Sequence, residues 1–233
     1  VITLVSFALG KKLGLYDRKV LMQSAGSITF SGIGPLIRHV VPFSFAFELT
    51  GAALLCIRFI PEFGWGRGIY FALFHAISAF CNAGFDLMGA RAPFSSLTAY
   101  AGDPLVTLTI SALIVIGGLG FVVWNDLMAY RKTRVLLLHT KIVLMVTIFL
   151  ILFGALGYLG LEWDNEKTMQ ALDMKGKIGA AFMQSITMRT AGFNSIDLYS
   201  MTDAAKVFSV VLMFIGAAPG STGGGIKVTT TAV

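Results

Sequence analysis

Two short stretches of the chain repeat one pattern. Asn82-Ala83-Gly84-Phe85-Asp86 and Thr190-Ala191-Gly192-Phe193-Asn194 share an Ala-Gly-Phe centre. A third stretch, Gly216-Ala217-Ala218-Pro219-Gly220-Ser221-Thr222-Gly223-Gly224-Gly225, is followed by Ile226 and Lys227. None of the three carries a nucleophile beside a base, or a cluster of metal-ligating side chains. What they offer is backbone. Glycine admits torsions that turn successive carbonyls toward one axis, and rings of carbonyls replace the hydration shell of a monovalent cation. The expected ion ligands are the carbonyls of Asn82, Ala83, Gly84 and Phe85, and of Thr190, Ala191, Gly192 and Phe193. Asp86 would add negative charge at the mouth. A free cation at Arg189 would repel the ion, so Arg189 is expected to donate to carbonyls or to a carboxylate behind the turn. With Asn194 it counts as support for the filter.

Such turns need elements to carry them. Each follows a short apolar stretch, Gly68–Phe80 or Ile178–Met188. At about 1.5 Å per residue these reach roughly halfway across a bilayer, which predicts re-entrant half-helices. A half-helix that ends mid-bilayer aims its carbonyl end at the pore centre, where it favours cations. Longer apolar segments at Val40–Ile60, Leu105–Met128 and Val135–Leu161 are predicted to span, and Ala204–Ala218 runs apolar into Pro219. The glycines at 117, 118 and 120 recur at 223–225, at nearly the offset that separates Gly84 from Gly192. Each unit therefore reads as helix, half-helix, turn, helix. The expected fold is an all-α integral membrane protein, with repeated helix–re-entrant pore helix–helix units arranged pseudo-symmetrically around a pore. The expected divisions are the end of a first unit and a cytoplasmic link over 1–34, a second unit over 35–132 and a third over 133–233. The apolar run Val1–Leu9 reads as the tail of the first unit, and the chain as a piece of a longer protein.

Composition agrees. Of 233 residues, 56% are hydrophobic and 13% charged, against about 25% charged in soluble domains. That excludes a soluble enzyme, a disordered chain and a disulfide scaffold. The net charge of +6 is explained by topology rather than by nucleic acid. The segments 9–38 and 130–141 are dense in Lys and Arg: Lys11, Lys12, Arg18, Lys19 and Arg38 in the first, Arg131, Lys132, Arg134 and Lys141 in the second. The longer segments 58–104 and 159–206 carry basic residues far more sparsely. The positive-inside rule puts the first pair in the cytoplasm, so the half-helices enter from outside. Cys56 and Cys81 lie in apolar stretches and are expected to be small buried hydrophobes.

The three motifs, with Ser78 to Asp86, Thr187 to Asn194 and Gly216 to Lys227 around them, resemble the Trk/Ktr/HKT superfamily of potassium transporters, and within it the bacterial Ktr membrane subunits. The resemblance covers essentially the whole chain. It implies four helix–pore-helix–helix repeats in one polypeptide, of which the first and fourth filter turns are not in this sequence. It implies that Asn82–Phe85 and Thr190–Phe193 are the second and third quarters of a selectivity filter. Gly84 and Gly192 would be its key glycines, a pairing that fits potassium; sodium transport, or sodium as activator, stays open. It further implies a homodimer in the cell membrane and a cytosolic nucleotide-binding regulatory ring as partner.

Pro219 and the glycines at 216, 220, 223, 224 and 225 cannot hold a regular helix. By the resemblance this is an intramembrane loop below the filter that gates conduction. It is expected to be an open strand that moves at little cost, with Lys227 at its inner end as an electrostatic latch. The segment also imitates a nucleotide P-loop, since Gly220-x-x-x-x-Gly225 has the right spacing. That motif needs Lys directly after the second glycine. Here Ile226 intervenes before Lys227, so nucleotide hydrolysis is not expected. No cofactor is expected beyond the transported K+. The competing readings are a nucleotide-driven pump component, another intramembrane enzyme, or a channel of four identical subunits. Glu48, mid-helix, where an ionisable group is costly, is either a functional residue or a carboxyl protonated or paired to a neighbouring helix; His75, His39 and His139 are expected to be packing or interfacial.

Overall fold

Among the described residues all regular secondary structure is helical; the one β feature is an isolated parallel bridge between Ile215 and Ile226. The computed structural model describes residues 33–231. The run Val1–Leu9 and nearly all of the expected cytoplasmic link lie outside those residues, and so do Lys11, Lys12, Arg18 and Lys19, on which the expected sidedness partly rests.

Helix α1 (Ile33–Phe63) holds a 24-residue apolar window from Val40 to Phe63, about 36 Å at helical rise and enough to span. Phe45, Leu49 and Ile57 point outward, while Leu55 and Phe59 are fully buried. Gly64, at φ 79°, reverses the chain into α2 (Trp65–Phe80). The two pack through aromatic pairs, Phe63 on Phe71 at 4.8 Å and Phe59 on His75 at 5.6 Å between centroids. Helix α3 (Pro104–Leu119) starts on an Asp103 cap whose carboxylate accepts from the Leu105 and Val106 amides, with proline at the first position, the arrangement that satisfies otherwise orphaned donors.

Leu105–Met128 is not the single span expected from its hydropathy. Helix α3 stops at Leu119, and α4 (Phe121–Thr133) leaves at 92°. The hinge is Gly120 at φ 84°. A Cβ there would lie 2.6 Å from the Pro219 carbonyl oxygen, so the glycine-rich loop occupies the space that a straight helix would cross. Hydropathy registers that both halves are apolar, but not that another segment blocks the line between them.

Helix α5 (Leu138–Glu162) is the second long span, 25 residues, with Met145, Phe149 and Leu156 more than three-fifths exposed on its outer face. Asp126 of α4 caps its start, accepting from the Leu137 amide at 2.9 Å. Helix α6 (Met174–Thr187) begins on Asp173, which accepts from the Gly176 amide, and α7 (Asp203–Phe214) on Thr202. Both short pore helices begin about one turn before their predicted starts. Arg67, Lys175 and Lys177 break the apolar run without breaking the helix, because lysine and arginine are good helix formers. Helix α7 ends before its apolar run does, because Ile215 leaves the helix to pair with Ile226. A last turn, α8 (Val228–Thr231), follows the loop.

One core joins the two units. Met183, Ile186, Ala191 and Phe193 from the α6 side pack into the cluster built by α1, α2 and α3. At the end where α1 and α5 finish, each carries a glutamate that ties it to the start of the unit's next long helix. Glu62 accepts from the Tyr100 hydroxyl at 2.9 Å and pairs with Arg58, which also holds Asp103, the cap of α3. Glu162 is fully buried and accepts from the amide and hydroxyl of Thr202, the cap of α7, at 2.7 and 2.8 Å.

Candidate ion-conducting site

The end of α2 fixes the first turn. The Cys81 amide donates to Ile77 and the Ala83 amide to Ser78, both at 2.9 Å. The chain then adopts positive φ at Asn82 (50°) and again at Gly84 (70°). The second turn repeats this, with Thr190 at 73° and Gly192 at 87°. Alternating left- and right-handed torsions turn successive carbonyls to the same side, whereas a regular strand points them alternately. Glycine takes φ > 0 freely, asparagine tolerates it, and a β-branched threonine there is a strained outlier. Such strain persists only where surrounding contacts hold it.

The two turns lie against each other. A Cβ on Gly84 would run into the Ala191 carbonyl oxygen and sit 2.8 Å from the Gly192 Cα; a Cβ on Gly192 would meet only the Gly84 Cα, at 3.2 Å. Beyond the turns, the Asn194 amide donates to the Ser96 hydroxyl at 3.1 Å and the Leu97 amide to the Asn194 carbonyl at 2.9 Å. The Asn194 backbone thus joins the two exit strands. The Ser78 hydroxyl donates to the Phe85 carbonyl at 2.7 Å. Asp86 accepts from the Met88 amide at 2.9 Å, so part of its charge is spent on its own turn. His75 is fully buried; its Nδ1 meets the Phe71 carbonyl at 2.7 Å, and Nε2 accepts from the Leu87 amide at 3.3 Å. That makes it a packing residue which also ties the pore helix to the exit strand. Phe193 is buried against the His75 ring, at 6.2 Å between centroids, whereas its counterpart Phe85 is 70% exposed.

Residues 216–225 are non-helical throughout, but they are not the open strand expected. The ends pair: the Gly216 amide donates to the Ile226 carbonyl and the Ile226 amide to Phe214, both at 3.0 Å. The middle is fastened to the hinge after α3, with the Ala218 amide on the Gly118 carbonyl (3.0 Å), the Thr222 amide on Gly117 (3.3 Å) and the Phe121 amide on Gly220 (3.1 Å). Glycine makes the segment non-helical but leaves its amides and carbonyls intact, and at membrane depth these must find partners within the protein. Lys227 closes the loop on itself, donating from Nζ to the Gly223 carbonyl at 2.8 Å.

Arg189 donates from Nη2 to the Gly216 carbonyl at 3.2 Å, a bond that joins the second turn to the start of the loop. Cys81 is exposed rather than buried, because it is the first residue past α2, and Cys56 on α1 is half-buried. Glu48 is half-buried on α1 and makes no side-chain hydrogen bond among the described residues, so the expected inter-helix partner is not found there.

The TrkH family, described as cation transport proteins, matches residues 1–233. The chain belongs to that family. It is 42% identical over 227 residues to the Ktr system potassium uptake protein B of Bacillus subtilis, covering 97% of this chain and 50% of that one. It is 38% identical over 234 residues to the potassium/sodium uptake protein NtpJ of Enterococcus hirae, covering 100% of this chain and 51% of that one. The chain therefore spans about half the length of the relatives it matches. The crystal structure of the potassium transporter TrkH from Vibrio parahaemolyticus has the same fold, with a TM-score of 0.65 at 16% identity over 92% of this chain and 43% of that one. The family is one of membrane transporters, not of enzymes, and the outward apolar faces of α1 and α5 fit a multi-pass membrane protein.

For several residues that build this site the sequence does not mark the partner or the torsion. Ser78, Ser96 and Thr222 are ordinary hydroxyls whose bonds are made to backbone well beyond their own neighbours. Asn82 and Thr190 carry the left-handed torsion, yet only their place before Ala-Gly-Phe could have marked them.

Proposed function

We propose that this chain forms half of a potassium uptake pore of the cell membrane, with the carbonyls of Asn82–Phe85 and Thr190–Phe193 as two quarters of its filter. The carrying observation is the shared alternation of positive φ in two turns distant in the chain, each at the end of a short pore helix. The remaining quarters come from further units of the same kind. The exposed Phe85 marks where such a unit would pack, as Phe193 packs on His75. Residues 216–225 lie below the turns as the gate. K+ is the transported ion, with Na+ as a second substrate or activator, as the name of the Enterococcus relative suggests. A second copy of the chain and a cytosolic nucleotide-binding ring belong to the same proposal through the resemblance.

The test is flux of K+, Rb+ and Na+ through the intact protein in liposomes. The expected result is passage of K+ and Rb+ well above Na+. Equal rates for all three would sink the filter assignment. Deleting Ala217–Gly223 should raise flux and weaken its control; unchanged flux from a folded protein would reduce the loop to a kink.

A further inference from the structure

We propose that the intramembrane loop is part of the scaffold that holds the filter turns, with Arg189, Thr190 and Thr222 as positioning residues, so that cation occupancy of the turns and closure of the loop stabilise each other. This rests on the filter and gate assigned above and adds the link between them.

Three side-chain hydrogen bonds carry it, and they reach both turns. The Thr222 hydroxyl donates to the carbonyl of Phe80 at 2.9 Å. Phe80 is the last residue of α2, and its carbonyl is one of those that a helix end leaves without an intrahelical partner. The loop therefore caps the first pore helix immediately before its turn. The Gly224 amide donates to the Thr190 hydroxyl at 3.1 Å. Thr190 is the strained left-handed residue of the second turn, and this bond is one of the contacts that hold it. Arg189, the neighbouring residue, is nine-tenths buried and donates to the Gly216 carbonyl at 3.2 Å. The loop is thus fastened at its start, its middle and its end to groups that set the torsions of the carbonyls above it.

Withdrawing the loop breaks all three bonds. It uncaps α2 and frees Thr190 to leave the left-handed region, so the carbonyls are held less tightly in the ion-binding alignment. Linkage then runs both ways. If the closed loop favours the ion-binding geometry of the turns, an ion in the turns must favour the closed loop by the same factor. One net hydrogen bond of this kind corresponds to about a five-fold shift in such an equilibrium.

The test uses the full-length protein in liposomes, with Cys56→Ala and Cys81→Ser as background and Ser221→Cys as reporter on the loop. The modification rate by a small thiol reagent is read with K+ or choline as the sole monovalent cation. K+ should slow it several-fold. Thr222→Val should cut that protection about five-fold, Thr222→Ser should restore it, and Arg189→Lys should weaken it. A rate in the Thr222-intact reporter that ignores K+ overturns the coupling whether or not any variant folds, and so does full protection in Thr222→Val. The gate assignment fails separately, through unchanged flux on deletion of Ala217–Gly223. A deletion that raises flux yet leaves the preference for K+ over Na+ intact keeps the gate and overturns the coupling alone.

Discussion

Gly84 and Gly192 occupy equivalent places in the repeat, yet substitution by alanine should not cost the same at the two sites. Both have positive φ, 70° and 87°, and a Cβ in the left-handed region costs roughly 1–2 kcal/mol at either. At Gly84 the new methyl would also press on the Ala191 carbonyl and the Gly192 Cα, the latter at 2.8 Å. Both are backbone atoms with no rotamer to yield, and overpacking of that kind adds about 1–3 kcal/mol. At Gly192 the methyl meets a single Cα at 3.2 Å, which a small shift of the neighbour relieves. The difference of about 1–3 kcal/mol amounts to a five-fold to roughly hundredfold loss of the conducting geometry, at about 1.36 kcal/mol per decade. Rb+ uptake into liposomes, normalised to the monodisperse protein recovered, measures it. Gly84→Ala should fall well below Gly192→Ala. Equal uptake, or the reverse order, would refute the close approach of the two turns as the cause.

Cysteine at Arg134 should resist an impermeant thiol reagent on intact cells, while cysteine at Arg91 or Asp164 should react; the opposite pattern inverts the topology. Glu162 accepts four hydrogen bonds with no exposure, two from Thr202, one from Asn165 and one from Thr168. Glu162→Ala should therefore cost about 3 kcal/mol and lower the Tm by roughly 10 °C, with Glu162→Gln in between; an unchanged Tm would deny the anchor its role. Burial, and then the bond to Glu62, hold the Tyr100 phenol above its ordinary range. Its contribution to stability is present below the pH at which a free tyrosine ionises, about 10, and is lost as pH rises from there toward the folded value. Tyr100→Phe should lower stability at neutral pH by about 1–2 kcal/mol and flatten the alkaline end of a stability–pH curve; an unchanged neutral stability would deny the bond to Glu62 its role.

The helices are legible in the sequence because membrane depth forces a long apolar run, and Val135–Leu161 could be little else. The two turns are legible because Ala-Gly-Phe occurs twice after a run too short to span. What escapes is everything set by contact between units. Nothing local in Leu105–Met128 marks a 92° break, since Gly117, Gly118 and Gly120 suit close helix packing equally well. The deciding fact is the loop lodged against Gly120, far along the chain. Its glycines identify that loop as non-helical but wrongly suggest that it is open, because glycine content reports torsional freedom and says nothing about where the freed amides go. Apolar neighbours make Cys81 look buried, although it stands one residue beyond the helix that buries them.

The repeat also breaks its own symmetry at one informative place. Aligned on Ala-Gly-Phe, Cys81 of the first turn stands where the second has Arg189. Cys81 has a short, exposed side chain with no reach below its turn. Arg189 is buried and extends to the Gly216 carbonyl. The unit that carries the long, planar donor is the same unit whose last helix breaks into the glycine-rich loop, and the other unit bends at Gly120 to make room for it. A buried charge is costly unless it is bonded. Here Nη2 is bonded to the first residue of the proposed gate, while Nε has no partner among the described residues. The repeat supplies two equal turns, and the departures from equality, Arg189 for Cys81 and a loop for a helix, concentrate where the proposed filter meets the proposed gate.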